Sequence, residues 1–164
     1  MTSLFDKFLE LIDGLEKEGV DYVLIGGFAV ILYGMPRLTQ DVDIFLRNDS
    51  DNIHRLQKAL YNIFSDDSVR EITAEELERY PVIRYGSPDG FFIDFIVKIG
   101  AAFTYDDLNY EIIEVEGCRI RVATAETLYR LKKDTVRPID QSDAAFLAEL
   151  LRHRQEKEKA KEKE

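Results

Sequence analysis

The chain has 164 residues, 45% of them hydrophobic and eighteen of them Phe or Tyr, which suits one folded domain and argues against global disorder. Its formal charge is -10, and because the tail from Arg152 to Glu164 carries about +2, residues 1–151 carry about -12. That excludes a general polyanion binder, yet leaves room for a nucleotide or a tRNA held by a local basic patch and metal ions.

Cys118 is the single cysteine, so no internal disulfide or cysteine-rich zinc site is available. His54 and His153 are far apart, which removes most histidine-based acid–base, triad and zinc chemistry. No apolar h-region opens the chain and no segment approaches the roughly twenty apolar residues of a membrane span. The expected location is the reducing cytoplasm, with no membrane partner.

In chain order, Leu4, Phe8, Leu11, Ile12 and Leu15 recur at helical spacing behind Thr2 or Ser3 as N-cap, with Gly19 as the stop. Tyr22–Ile25 reads as a short buried strand ending at Gly26-Gly27. Phe28–Tyr33 reads as a short helix closed by Gly34, and Met35-Pro36 biases the next residues toward an extended path. Asp41–Leu46 is the next strand. Asp49 or Ser50 caps a helix that carries Ile53, Leu56, Leu60 and Ile63 on one face.

The middle of the chain reads as strand-rich. Val69–Thr73 suits a strand and Ala74–Arg79 a short helix limited by Pro81. Val82–Gly86 and Phe91–Lys98 flank the turn Ser87-Pro88-Asp89-Gly90. Tyr110–Val115 and Cys118–Val122 form a second hairpin about Glu116-Gly117. Thr124 caps a helix to about Lys133, with Leu128 and Leu131 inward. After Pro138 a last helix buries Ala144, Phe146, Leu147, Leu150 and Leu151. From Gln155, Lys and Glu alternate without apolar anchors, as a frayed or solvated helical tail. The expectation is a mixed twisted sheet flanked by helices, an α/β (α+β) domain over 1–151 with a charged appendage over 152–164.

The most informative feature is Asp41-Val42-Asp43-Ile44-Phe45-Leu46. On a strand, both carboxylates share one face, about 7 Å apart, while Val42, Ile44 and Leu46 take the other. Like charges that close raise one pKa unless a cation lies between them, and a divalent metal is the obvious candidate. Read alone, the pair serves equally to cap a loop. The strand–Gly26-Gly27–helix join lets backbone approach a phosphate and offers the unpaired amides of a helix start, or is simply a tight turn. It lacks the Lys-Ser/Thr of a P-loop and the dinucleotide-binding spacing. Asp94 stands among apolar neighbours in Phe91-Phe92-Ile93-Asp94-Phe95-Ile96-Val97. An unpaired charge there is costly, so it either faces a polar cleft as a metal ligand or pairs with Arg84 across the hairpin.

Taken together, these pieces resemble the polymerase-β-like nucleotidyltransferase superfamily: hydrophobic-Gly-Gly/Ser, then Asp-hydrophobic-Asp-hydrophobic, then a third carboxylate. Here those residues are Gly26, Gly27, Asp41, Asp43 and Asp94. The stretch from Gly26 to Val30, through Arg37-x-Thr39-x-Asp41-x-Asp43, resembles the small bacterial and archaeal branch, with its AbiE/MenT-like toxin-type enzymes and aminoglycoside nucleotidyltransferases. Ala125-Glu126-x-Leu128-x-x-Leu131-Lys132, then Arg137 and Asp140, resembles that branch's helices after the sheet. The likeness runs from about Asp21 to Leu151.

The resemblance implies the polymerase-β-like fold and transfer of NMP from an NTP, ATP among the candidates, to a hydroxyl of RNA, protein or a small molecule. Asp41 and Asp43 would hold two Mg²⁺ ions (or Mn²⁺), and Asp94 would share one and help deprotonate the acceptor. Gly26 and Gly27 would meet the β and γ phosphates. Arg37, Lys132 and then Arg137 are the expected cationic partners of the triphosphate, with Thr39 in the same nucleotide-binding set. Asp140 and Asp143 would orient such bases or only begin the last helix. The chain shows no second domain for an acceptor such as tRNA, so a homodimer mate or partner subunit is expected to supply that surface. Two other classes share features with this reading. One is a non-catalytic nucleotide-sensing or toxin–antitoxin partner module on the same fold. The other is a Mn²⁺-dependent glycosyltransferase with Asp-x-Asp, whose folds are usually larger and lack the Gly-Gly join.

Overall fold

The computed structural model describes residues 3–135 and 137–163, so Thr2 as an N-cap and Glu164 at the end of the tail lie outside it. Helix α1 (Leu4–Lys17) starts at Ser3, whose side chain accepts from the Asp6 amide while the Asp6 carboxylate accepts from the Ser3 amide. Phe8, Leu11, Ile12 and Leu15 are fully buried along one stripe. Strand β1 (Tyr22–Ile25) then runs into helix α2 (Gly26–Leu32), which begins at the glycine pair itself rather than at Phe28. Strand β2 (Asp41–Leu46) comes next, then helix α3 (Ser50–Phe64), capped by the Asp49 side chain on the Asn52 amide.

The expected strand at Val69–Thr73 is instead a 3₁₀ turn over Asp67–Glu71. The Asp66 carboxylate accepts from the Ser68 amide (3.0 Å), the Ser68 hydroxyl (2.7 Å) and the Tyr85 hydroxyl (2.7 Å), which favours a turn. Val69 and Ile72, the buried residues of this segment, are spaced i,i+3 as on a helical turn. Helix α4 (Ala74–Arg79) forms behind the Thr73 cap.

Strands β3 (Val82–Gly86) and β4 (Phe92–Ile96) make the anticipated hairpin, closed by Gly90 at φ 91°. The continuous strand expected to Lys98 breaks at Val97. β5 (Lys98–Ile99) leaves the sheet to pair with β6 (Phe103–Thr104), turning through Gly100 at φ 63°. β7 (Tyr110–Val115) and β8 (Cys118–Ala123) form the second hairpin. Its turn residues Glu116 and Gly117 both have positive φ, 50° and 79°, the twist a two-residue hairpin favours.

Helix α5 (Ala125–Lys132) is capped by Thr124, and helix α6 runs from Pro138 to Glu162. In α6, Ala144 and Leu147 are buried while Phe146, Leu150 and Leu151, expected fully inside, are only partly covered. The Lys/Glu tail continues the helix, fully solvated, with Arg152 bonded to Glu149 and Glu156.

The six long strands form one mixed sheet in the order β3-β4-β2-β1-β8-β7. β2 is parallel to β4 and antiparallel to β1, and β1 is parallel to β8. α1 packs on α3 and β8, while α2 packs on β1, β2, α5 and α6. Apolar residues of the helices and sheet share one continuous core. Among the described residues, no helix is long and apolar enough to cross a membrane.

Candidate functional site

The register puts Arg84, Asp94 and Asp43 in one row across three neighbouring strands, with Ile25 of β1 next. Asp43 is the direct partner of Asp94, and Asp41, two residues back on the same face, lies opposite Phe92. Adjacent strands run about 4.8 Å apart, so the three acids share one small area of the sheet. Arg84 answers two of them. Its Nε donates to Asp94 Oδ1 at 2.9 Å, and its Nη2 donates to Asp94 Oδ2 and to Asp41 Oδ2, both at 3.1 Å. Of the two arrangements open to Asp94, the pairing with Arg84 is the one formed, and it includes Asp41.

Asp43 receives no such partner. Burial first, then the neighbouring Asp94 charge and a hydrogen bond to it, push its carboxyl up to about 7. The positive charge of Lys132 pulls it partly back, and Asp41 adds a further upward push. Among the described residues no three acidic, histidine or cysteine side chains already converge as a metal cage. The donor set nonetheless fits a hard divalent cation: three carboxylates and no nitrogen or sulfur, with the Asp43 carboxyl raised by burial and by the adjacent Asp94.

The glycine pair abuts these acids. Gly26 has φ +75°, and a Cβ there would fall on Asp43 Oδ2, 2.8 Å from its Cγ and 2.9 Å from its Cβ. Gly27 faces Thr39 and Arg37: a Cβ would stand 3.0 Å from Thr39 Oγ1 and 3.3 Å from the Arg37 guanidinium. Both glycines are therefore closely covered by residues that the sequence pattern singled out. Gly26→Ala is expected to destabilise the protein by at least about 2 kcal/mol, from the positive φ and from displacing Asp43. Chemical denaturation at pH 8 measures it, and an unchanged midpoint would contradict the packing described.

The three candidate cations converge on the start of α6. Lys132 Nζ reaches Asp143 Oδ2 at 2.8 Å and Asp140 Oδ1 at 3.3 Å. Arg37 Nη1 donates to the same Asp143 oxygen at 2.5 Å, and Arg137 clasps Asp140 at 2.7 and 3.0 Å. Arg137 first, opposed by burial and helped by Thr135 and Lys132, lowers the Asp140 carboxyl to about 2. Asp143 is fully buried, and its Oδ1 has no hydrogen-bond partner among the described residues. Asp140 and Asp143 are spaced i,i+3, which puts both on one helix face, and that spacing was the available sequence signal for their joint role. Thr39 Oγ1 donates to the Asp41 carbonyl at 3.3 Å. Every residue selected from the sequence thus lies in one of two adjoining clusters: Asp41, Asp43 and Asp94 with Gly26, or Arg37, Lys132 and Arg137 with Gly27 and Thr39. Arg84, anticipated only as a pairing partner of Asp94, is also bonded to Asp41.

Comparison with known proteins places these features in a family context. The family model for the nucleotidyl transferase AbiEii toxin of type IV toxin–antitoxin systems matches residues 10–138. A search of curated proteins gave no match. The lincosamide antibiotic adenylyltransferase LnuA, solved with lincomycin, is similar at TM-score 0.55 and 15% identity, over 87% of this chain and 94% of that one. A nucleotidyltransferase-like antigenic protein from Paracoccidioides brasiliensis gives TM-score 0.54 and 19% identity, over 88% and 75%. A nucleotidyltransferase candidate from Thermotoga maritima gives 0.51 and 18%, over 93% and 92%. At such identities these structures speak to the fold, which is that of the polymerase-β-like nucleotidyltransferases.

Proposed function

The chain belongs to the AbiEii nucleotidyl transferase toxin family, and on that basis we propose that it moves NMP from an NTP to a hydroxyl acceptor, releasing pyrophosphate, in a reaction that needs divalent cations. The observation that carries this reading is the row of carboxylates, Asp43 beside Asp94 with Asp41 on the same face, set against Gly26. In this reading Asp41, Asp43 and Asp94 hold two Mg²⁺ (or Mn²⁺) ions. Such ions, when bound, neutralise the triphosphate and stabilise the attacking and leaving oxygens.

The rest of the work falls to the chain's own residues. Gly26 and Gly27, which carry no side chains of their own and are packed by Asp43, Thr39 and Arg37, are the backbone that the β and γ phosphates would approach. Arg37 supplies positive charge beside Gly27, and Lys132 and Arg137 act electrostatically on Asp43, all three held by Asp140 and Asp143. Thr39 Oγ1, packed beside Gly27, would donate to phosphate by turning its hydroxyl from the Asp41 carbonyl. Asp94 accepts the acceptor's proton. The acceptor is a hydroxyl of RNA (tRNA included), protein or a small molecule, and a second copy or a partner such as an antitoxin completes its surface. The cytoplasm, which supplies NTP, is the proposed location.

The test is incubation of the purified chain with each α-labelled NTP, Mg²⁺ or Mn²⁺, and total cellular RNA and protein. Label should move from at least one NTP to one acceptor fraction with matching pyrophosphate release, and should stop with EDTA. No transfer from any NTP under these conditions would favour the non-catalytic module instead.

A further inference from the structure

Arg84 occupies a peculiar position for a residue outside the expected site. It sits on β3, an edge strand of the sheet, with its side chain 52% exposed. Its fork engages both Asp94 oxygens and one Asp41 oxygen, and its guanidinium carbon lies 5.0 Å from the centre of the Phe92 ring. Phe92 is the register partner of Asp41, so this ring and the two acids form one surface around a single positive charge. Lys132, whose charge acts on the neighbouring Asp43, is buried and tied to Asp140 and Asp143. Arg84 by contrast can leave its acids by side-chain rotation into water, without uncovering the core.

We propose that Arg84 is a built-in counter-cation of Asp41 and Asp94, which a divalent ion must displace from these carboxylates before the site is loaded. The inference rests on the metal-dependent reading above. Two simple facts support it. Arg84, a donor only, engages both oxygens of Asp94 and one of Asp41, so a metal held by these acids would compete with it for the same lone pairs. A guanidinium and a divalent ion in the same small area also repel, so binding of one weakens the other. Arg84 thereby keeps the metal-free acids from repelling one another, and it sets the divalent-ion concentration at which the site fills.

Mn²⁺ binding to the full-length chain without nucleotide tests this, read by electron paramagnetic resonance of free Mn²⁺ and by the Mn²⁺-induced rise in Tm. Arg84→Gln should bind Mn²⁺ about tenfold more tightly than the wild type, the effect of removing one charge beside a divalent ion in a partly solvated setting. Arg84→Lys, which keeps charge but loses the fork, should fall between them. In the wild-type chain, the Arg84 Nε–H resonance should shift as Mg²⁺ is added, a readout independent of any variant. Unchanged or weaker Mn²⁺ binding by Arg84→Gln, or an unmoved Nε–H resonance at saturating Mg²⁺, overturns the counter-cation role while leaving the metal site in place. Mn²⁺ binding that is absent from the wild type, or that survives Asp43→Asn, instead overturns the metal-dependent reading itself.

Discussion

Asp43→Asn is expected to lower NMP transfer at least about 10³-fold, a barrier increase on the order of 4 kcal/mol, while making the metal-free protein more stable at pH 8. The two effects have one cause. Asp43 lies between Asp94 and Gly26, with its carboxyl raised from 3.8 to about 7. Between those two values the unfolded chain has released a proton that the folded chain still holds. Stability therefore falls as pH rises through this window, and the full cost is present above pH 7. Three units correspond to about 4 kcal/mol at most, and about 2–4 kcal/mol is a fair range for a carboxyl that is not wholly enclosed. Asn cannot ionise and removes that cost.

In EDTA the wild-type Tm should therefore drop from pH 5 to pH 8, and the Asp43→Asn curve should be flatter. At 164 residues the gain at pH 8 corresponds to roughly 5–15 °C. Mg²⁺ should restore the wild type at pH 8 and leave Asp43→Asn unmoved. Equal loss of Tm in the variant at both pH values would mean that Asp43 is a structural carboxylate.

Lys132→Met should cost about 2–4 kcal/mol of stability, the second largest effect anticipated. The Lys132 side chain is 10% exposed and bridges Asp140 and Asp143, the latter fully buried. Removing one partner of a buried ionic cluster strands the others, and costs more than the cluster contributes when intact. Arg37 still reaches Asp143 and Arg137 still reaches Asp140, which keeps the loss below that of an isolated pair. Asp43 should also titrate higher in this variant, because the charge that pulls it down is gone. A double-mutant cycle with Asp143→Leu measures the coupling, expected above about 1 kcal/mol. Loss of transfer with no loss of stability would show that Lys132 is free to serve phosphate and is not held by its acids.

Much of the site was legible because its signals are local. The alternation of Asp41-Val42-Asp43-Ile44 needs only the strand period to put two acids on one face, and β2 carries them as expected. Turn chemistry located both hairpins, since Gly90 and Glu116-Gly117 adopt the positive φ their turns require. Of the caps open to the sequence, Ser3, Asp49 and Thr124 are the ones that start their helices. Where local signals were mixed, the reading failed. Val69–Thr73 is β-branched enough to suggest a strand, but the Asp66 cap and the i,i+3 burial of Val69 and Ile72 favour a 3₁₀ turn. The apolar run predicts that β4 continues to Lys98, but Val97 donates to the Pro81 carbonyl and the chain then departs into a separate hairpin.

Which residue types the site contains, and which face of each element they take, was set in the chain before any long-range contact, because periods of 2 and 3.6 come from backbone geometry alone. Their partners were set by the three-dimensional fold. Asp94 stands beside Asp43 because β4 inserts parallel to β2 across some fifty residues of chain, a choice made by sheet order. Arg84 could have met only Asp94, but the row across three strands also brings its Nη2 to Asp41. Arg37, Lys132 and Arg137, expected as cations for phosphate, are held by Asp140 and Asp143 of α6. Of the two roles open to those acids this is the orienting one, since a buried carboxylate takes the opposite charge that packing supplies. The two acids of β2, alike in sequence, are thereby divided: Asp41 shares a guanidinium with Asp94, and Asp43 is left as the carboxyl in want of a cation.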